Sequence, residues 1–556
     1  MKLLIVALNS KYTHTSLSVR CIHGAVKDIC DSSFVEYTIN DNQESVVADI
    51  FARKPDCIAF SCYIWNIENV LKIASVIKKA SPGTTIVLGG HEVEHDSESI
   101  LNEYKYIDAV LRGEGEISMR EYVKCFLGEK DISSAFSITY RKDDEIVYLP
   151  DAKTFVDLNE VPFVYDDSID EIKNKVIYYE TSRGCPYNCT YCLSGEGHKV
   201  RFLDVERVKK EFDFFIKKRV PLVKLVDRTF NADIKRAKEI FEFVAQNPGD
   251  TCFHMELSGD IIDDETIEIL SKVKKGTLQF EIGVQTTNPE TTKAINRKVS
   301  FDKLKTVVTR LMSKDNIHIH LDLIAGLPYE DLTSFKNSFN EVIAIKPHVL
   351  QLGFLKMLKG SYIRGQQHDF GYEFKDFAPY EIIKNDFISF EELLELKITE
   401  NALDRFYNSG YFKNTMEYLM SKTKDYYGIF HKIGLYMSME YPTGYAFSKQ
   451  LLFDIIYECF GKDDDVFVEK LKKDYLISFR PGARPCWMGE HNDEYTKIAY
   501  EMFKDEELKK EHYPFYYDVP AKEIMKHIYA EKFKDSVLLF DHYRNAVYDI
   551  TEYCSR

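Results

Sequence analysis

No run of about 18 uncharged apolar residues occurs in this 556-residue chain, so no ordinary transmembrane helix and no membrane partner is expected. The opening MKLLIVALNSKYTH has a short apolar run but no long h-region and no small-residue cleavage site. It reads as a buried first strand, not a signal peptide. No basic face is evident: 73 Lys and Arg stand against 89 Asp and Glu, a formal charge of −16, which argues against nucleic acid as a partner. The 12 cysteines lack the density and regularity of a disulfide scaffold, which points to a reducing cytoplasm, where clustered cysteines more often hold metal. No internal repeat is present. What remains is 45% hydrophobic and 29% charged, suited to two or three folded domains with sizeable cores.

Organisation follows from periodicity. Over residues 1–135, short apolar runs (KLLIVAL, SFVEYTI, CIAFSCY, TTIVLGG, DAVLRGEGE) alternate with segments amphipathic at a 3.6 period. That alternation predicts a doubly wound parallel α/β sheet, Rossmann-like or flavodoxin-like, with ligands at the carboxyl ends of the strands. Residues 136–171 read as a hairpin and linker. Over 172–374, six strand candidates (KVIYYET, LVKLVD, CFHMEL, LQFEIGV, HIHLDLIAG, HVLQLGFLKM) predict a partial (β/α)6 barrel with chemistry at its carboxyl rim. Residues 375–556 read as a mostly helical, aromatic-rich third domain.

The densest signal is YYETSRGCPYNCTYCLSG, where Cys185, Cys189 and Cys192 directly follow the first barrel strand. Thiolates are soft ligands suited to iron–sulfur clusters or zinc. Three of them leave one position open, as a catalytic metal site does and a structural one does not.

This pattern, C-x3-C-x2-C with Tyr191 before the last cysteine, resembles the radical SAM superfamily. The resemblance implies that the three cysteines hold a [4Fe–4S] cluster whose fourth iron takes S-adenosylmethionine (SAM). It also implies that one-electron reduction, from an external donor such as a flavodoxin or ferredoxin, yields a 5′-deoxyadenosyl radical. It extends along the barrel through LVDRTFN (with Asp227, Thr229 and Asn231), MELSGD, FEIGVQTTNPETTKAINR (with Glu281 and Gln285), DLIAGLP (with Gly326) and LQLGFLKMLKGS. Together with Tyr191, the residues named are the SAM contacts it implies.

A doubly wound domain ahead of such a barrel resembles the cobalamin (B12)-binding class of the superfamily. The resemblance places cobalamin at Asn9, Ser10, Thr13, Tyr63, Trp65, Gly89, Gly90, Glu92, Gly113, Glu114 and Gly115. The Asp-x-His-x-x-Gly motif of methionine-synthase-type domains is missing, which leaves the group below the cobalt open; that side is expected near Tyr63 and Trp65.

The implied activity is methylation of an unactivated carbon of an unidentified small molecule or peptide. Rearrangement or cyclisation within the same class is the first alternative. A methylthiotransferase is the second; it would need three more cluster cysteines, which Cys21, Cys30, Cys57, Cys62 and Cys125 do not offer in a ligand-like setting. A non-enzymatic cobalamin sensor or carrier is the third. In the last domain FRPGARPCWMGE singles out Cys486 as a candidate catalytic residue, against the plainer reading of a packed turn.

Overall fold

The computed structural model describes residues 1–195, 199–480, 482 and 484–554, in two compact units. The first comprises 1–347 and 352–393, the second 348–351 and 394–556.

The first unit opens on the expected sheet: β1 (Lys2–Asn9), β2 (Asp31–Thr38), β3 (Cys57–Ser61), β4 (Thr85–Gly89) and β5 (Ala109–Leu111). They are parallel in the order 2-1-3-4-5, the flavodoxin-like alternative of the two doubly wound windings. Alternate residues of each strand feed opposite cores. Leu4, Val6, Ile58, Phe60 and Leu88 pack under the helices Gln43–Ala52 and Ile67–Ala80. Leu3, Ile5, Ala59 and Val87 pack under Leu17–Val26 and Gly115–Phe126. Covered on both faces, the strands can be continuously apolar. The hairpin expected within 136–171 is β6 (Ile138–Lys142) and β7 (Glu145–Tyr148), and it extends this sheet antiparallel to β5.

The barrel strands are β8 (Ile177–Tyr179), β11 (Leu222–Leu225), β12 (Cys252–Leu257), β13 (Leu278–Gln285), β14 (His318–Ala325) and β15 (Val349–Phe354). Between β8 and β11 lie two short strands, β9 (Ser182–Arg183) and β10 (Arg201–Phe202), paired antiparallel. The six barrel strands pair in chain order, with β8 and β15 at the open edges. On β13, Leu278, Phe280, Ile282 and Val284 are buried, and Phe280 meets Phe241 of the helix Ile234–Gln246. The alternate residues Gln279, Glu281 and Gln285 point to the lumen, joined there by Lys224, His254, Glu256, His318, His320 and Asp322. An ordinary closed barrel fills this space with branched apolar side chains. This polar lumen is built to face a polar ligand. The unit ends with the short pair β16 (Glu373–Phe374) and β17 (Ile382–Lys384).

The second unit is mostly helical, as expected, with Lys413–Lys422, Tyr426–Glu440, Lys449–Phe460 and Asp465–Ser478 at its centre. It also carries an antiparallel sheet that the sequence reading missed: β18 (Ile528–Lys532), β19 (Val537–Asp541) and β20 (Ala546–Asp549). Among the described residues, no helix is long and apolar enough to cross a membrane.

Candidate active site

The cysteine loop begins where β8 ends. Asp227, fully buried just after β11, accepts from Thr181 N–H (2.7 Å) and Oγ1 (2.5 Å) and from Ser182 Oγ (2.6 Å). Burial lifts its carboxyl above the usual range, against those donors. Arg183 then stands opposite Arg201, and Ser182 opposite Phe202, so that β9 and β10 close a neck beneath the loop. Within the loop, Cys192 N–H donates to the Cys189 carbonyl at 3.0 Å. Thr190 bridges the carbonyl of Ile295 (3.1 Å) and the N–H of Ile363 (2.9 Å). Each sulfur has a polar neighbour: Thr229 Oγ1 at 3.5 Å from Cys185 Sγ, Arg297 Nη1 at 3.8 Å from Cys189 Sγ, and Ser194 N–H on Cys192 Sγ at 3.4 Å. Arg297, which the sequence reading did not single out, also donates to the Tyr191 hydroxyl (3.2 Å) and the Gly283 carbonyl. It closes the FEIGVQTTNPETTKAINR stretch, but only the fold shows that its side chain reaches the loop.

The strand ends around the loop divide into spent and unspent groups. Asp227 and Asn231, expected at SAM, are spent. Both oxygens of Asp227 hold the lead into the loop, and Asn231 makes a reciprocal pair with the Ser258 backbone (2.8 and 2.9 Å) that ties β11 to β12. Thr229 donates to the carbonyl of Arg228 and faces Cys185. Glu281 accepts from His254 (2.8 Å) and Lys224 (3.1 Å); the imidazole above all, then the ammonium, hold its carboxyl down to about 2 despite burial. His320 is pushed down to about 4 by burial and by neighbouring His318. Asp322 goes the other way, up to about 8, because burial and then Glu281 and Glu256 disfavour its charge. Asp322 Oδ1 and Gln285 Oε1 are buried without a hydrogen-bond partner among the described residues. Gly326 takes φ +89° and offers its carbonyl to Tyr372 Oη and Asn385 Nδ2.

The rim of the first sheet shows the same division. Asn9 is spent on the His14 carbonyl (3.1 Å) and Glu36 (2.9 Å). Ser10 Oγ lies 3.5 Å from His14 Nδ1. The Thr13 carbonyl accepts from Val176 N–H (2.7 Å) at the start of β8, Thr15 Oγ1 donates to the Val176 carbonyl (2.8 Å), and His14 Nδ1 meets Tyr178 Oη (3.1 Å). Glu92 is buried beneath the Tyr380 hydroxyl and Lys359 Nζ (3.4 Å). Glu114 binds Arg201, Arg183 and the Val156 N–H. Asn9, Glu92 and Glu114, expected at cobalamin, thus also bind other parts of the protein. Tyr63 and Trp65 remain, stacked at 4.4 Å with Trp65 45% exposed, and so do the turns at Gly89–Gly90 and Gly113–Gly115. Gly113, at φ +67°, has open space where a side chain would stand.

In the second unit, Cys486 is exposed on a short turn whose neighbours are packed. Trp487 Nε1 donates to Asp454 (2.9 Å), and Arg484 pairs with Glu531 (2.8 Å). That is the plain packed-turn reading of this stretch.

Comparison with known proteins divides the chain along the same lines. Residues 3–123 match the B12 binding domain and residues 179–342 the radical SAM superfamily. The chain belongs to the B12-binding class of radical SAM enzymes. Residues 368–549 match a family described as a protein of unknown function (DUF4080). Over 324 residues the chain is 26% identical to the cobalamin-dependent radical SAM methyltransferase TokK of Streptomyces tokunonensis, covering 54% of this chain and 47% of that one. It is 25% identical over 312 residues to 2-(S-pantetheinyl)-carbapenam-3-carboxylate methyltransferase of Streptantibioticus cattleyicolor, covering 53% and 46%. The chain thus spans about half the length of these relatives. Among solved structures, the cobalamin-dependent SAM radical enzyme OxsB, with aqua-cobalamin and SAM bound, superposes with a TM-score of 0.62 at 14% identity, over 86% of this chain and 79% of that one. TsrM of Kitasatospora setae, with cobalamin and [4Fe–4S] cluster bound, gives 0.56 at 14%, over 66% and 75%.

The groups that a B12-class radical SAM enzyme uses fit the unspent residues. Cys185, Cys189 and Cys192 supply three thiols on one loop, each with a polar neighbour suited to a cluster sulfur. Among the described residues they do not stand as a preformed metal site, so the fit rests on the donor set. The orphaned acceptors Gln285 and Asp322 fit a polar ligand such as SAM. The Tyr63–Trp65 stack and the open space at Gly113 fit a bulky, flat one.

Proposed function

We propose that the chain is a cobalamin-dependent radical SAM methyltransferase acting on an unactivated carbon. The observation that carries this is a juxtaposition. The Gly113–Gly115 turn, on the carboxyl rim of the B12-binding domain, stands within ion-pair distance of the neck of the cysteine loop, through Glu114 and Arg183 at 3.1 Å. A substrate bound beside this junction would lie between the loop that would hold the cluster and the rim that would hold cobalamin, and such placement lowers the entropic cost of bringing the reacting groups together.

When bound, the cluster with SAM supplies a hydrogen-abstracting radical and methylcobalamin supplies the methyl group. The protein's part is placement. Asp227 fixes the entry to the loop, Thr229, Arg297 and the Ser194 N–H face its sulfurs, and the polar lumen holds the substrate or SAM against Asp322 and Gln285. The electron comes from an external carrier of the flavodoxin or ferredoxin type. A second-cluster chemistry is not favoured, because Cys57 and Cys62 lie in the opposite cores of the first sheet.

Anaerobic reconstitution tests the proposal. About four irons and one cobalamin per chain are expected, with SAM converted to 5′-deoxyadenosine and S-adenosylhomocysteine in the presence of extracts containing the substrate. A Cys192→Ala chain should cleave no SAM. Cleavage without methyl transfer would point instead to rearrangement or cyclisation; cobalamin uptake without cleavage, to a sensor or carrier; about eight irons without cobalamin, to a methylthiotransferase.

A further inference from the structure

We propose that Glu114, although it belongs to the B12-binding domain, is a positioning residue for the cysteine loop: it clamps the two arginines at the loop's neck. Arg183, two residues before Cys185, and Arg201 face each other directly across the two-residue ladder of β9 and β10. Like charges opposite one another destabilise a strand pair, and a two-residue ladder has few hydrogen bonds of its own to offset them. Glu114 supplies a counter-charge that both arginines share. Its Oε1 lies 3.1 Å from Arg183 Nη1 and binds Arg201 Nη2; its Oε2 accepts from Arg201 Nη1 (3.2 Å) and from Val156 N–H (2.6 Å), while Arg201 returns a hydrogen bond to the Val156 carbonyl (2.7 Å).

Glu116 and Glu180 reach only Arg183, at 2.8 and 2.7 Å. Among the described residues, Glu114 alone spans both arginines. The side chains are 13%, 24% and 25% exposed for Glu114, Arg183 and Arg201, so the pair is partly buried but still within reach of screening by salt. The same domain holds the other end of this segment, where Thr13 and Thr15 bind Val176. The strand that delivers the three cysteines is therefore gripped at both ends by the domain proposed to carry cobalamin. The inference rests on the function proposed above only for the identity of the cluster; the clamp itself belongs to the bare protein.

The test uses metal-free, anaerobic, full-length chain, with alkylation of each cysteine by iodoacetamide followed by mass spectrometry. Glu114→Gln should speed alkylation of Cys185, Cys189 and Cys192 about five-fold relative to Cys486 in the same sample, the scale of a partly buried ion pair. Glu116→Gln should change it by less than about two-fold. Adding Arg201→Met to Glu114→Gln should return the rate to near that of the wild type, because the opposed charges are gone; a mere packing defect would worsen. Unchanged rates in Glu114→Gln, or a double variant as fast as the single one, would overturn the proposal. Should Glu114→Gln not fold, the wild type provides a second arm. Raising salt from about 0.01 to about 1 M shortens the screening length from ~30 to ~3 Å and should speed the loop cysteines but not Cys486; a flat response overturns the clamp. Failure of the functional reading would show separately, as reconstitution without iron or cobalamin.

Discussion

Asp322 illustrates how one side chain's surroundings set its chemistry. One carboxyl oxygen is buried without a partner among the described residues, and burial, Glu281 and Glu256 together raise its acid to about 8. Below about pH 4 the group is neutral whether the chain is folded or not. Between about 4 and about 8 the unfolded chain releases this proton and the folded chain keeps it, so stability falls as pH rises, by up to about 1.4 kcal/mol per unit. Glu281 has the opposite sign. Held to about 2, it contributes stability that is present above its unfolded value and lost as pH falls through about 2. Asp322→Asn, neutral at every pH, should therefore flatten the decline in melting temperature of the metal-free protein between about pH 6 and about pH 8. Equal slopes for the two proteins would remove the assignment of a protonated Asp322.

The turn after β4 makes its case at the scale of an element. Gly90 sits at φ +111°, and a Cβ there would stand 2.5 Å from the Cys62 carbonyl oxygen and 3.2 Å from its nitrogen. Both are backbone, and Cys62 N–H is itself bound to the Gly89 carbonyl at 2.7 Å, so neither can yield without breaking the β3–β4 junction. Gly90→Ala should cost roughly 2–4 kcal/mol, from strain at positive φ plus overpacking, read as a lower denaturant midpoint with an unchanged slope. A change under about 0.5 kcal/mol would show that the turn tolerates a side chain. Elements of this kind were legible in the sequence. Continuous apolar runs in β1, β3 and β4 gave doubly covered strands, and six such runs gave the barrel. The three-cysteine spacing located the loop. The jobs of individual polar residues were not legible. Asp227, Asn231 and Glu114 lie in the right motifs, but their partners Thr181, Ser258 and Arg201 are 46, 27 and 87 residues away, and the same residue types serve equally to hold a ligand or to hold the fold. The strands β18–β20 escaped notice because they are only 4–5 residues long and set among helices and aromatics.

For the whole molecule, the decisive feature of the first unit is the open edge of its barrel. An edge strand leaves unpaired N–H and C=O groups that must be covered. At the start of β8 the cover comes from Thr13 and Thr15, and at the neck beyond β8 the arginines are neutralised by Glu114 and Glu116. The B12-binding domain and the barrel share these contacts, so a ligand that stabilises one is expected to stabilise this segment as well. Cobalamin at a hundred times its dissociation constant adds about 2.7 kcal/mol to whatever opens only together with its site. Hydrogen exchange of the metal-free chain, with and without cobalamin, should consequently show slower exchange not only in β1–β5 but also in β8 and β9. Protection that stopped at about residue 135 would mean that the contacts at Val176 and Arg183 open independently of the cobalamin site, and the two domains would then have to be treated as separate folding units.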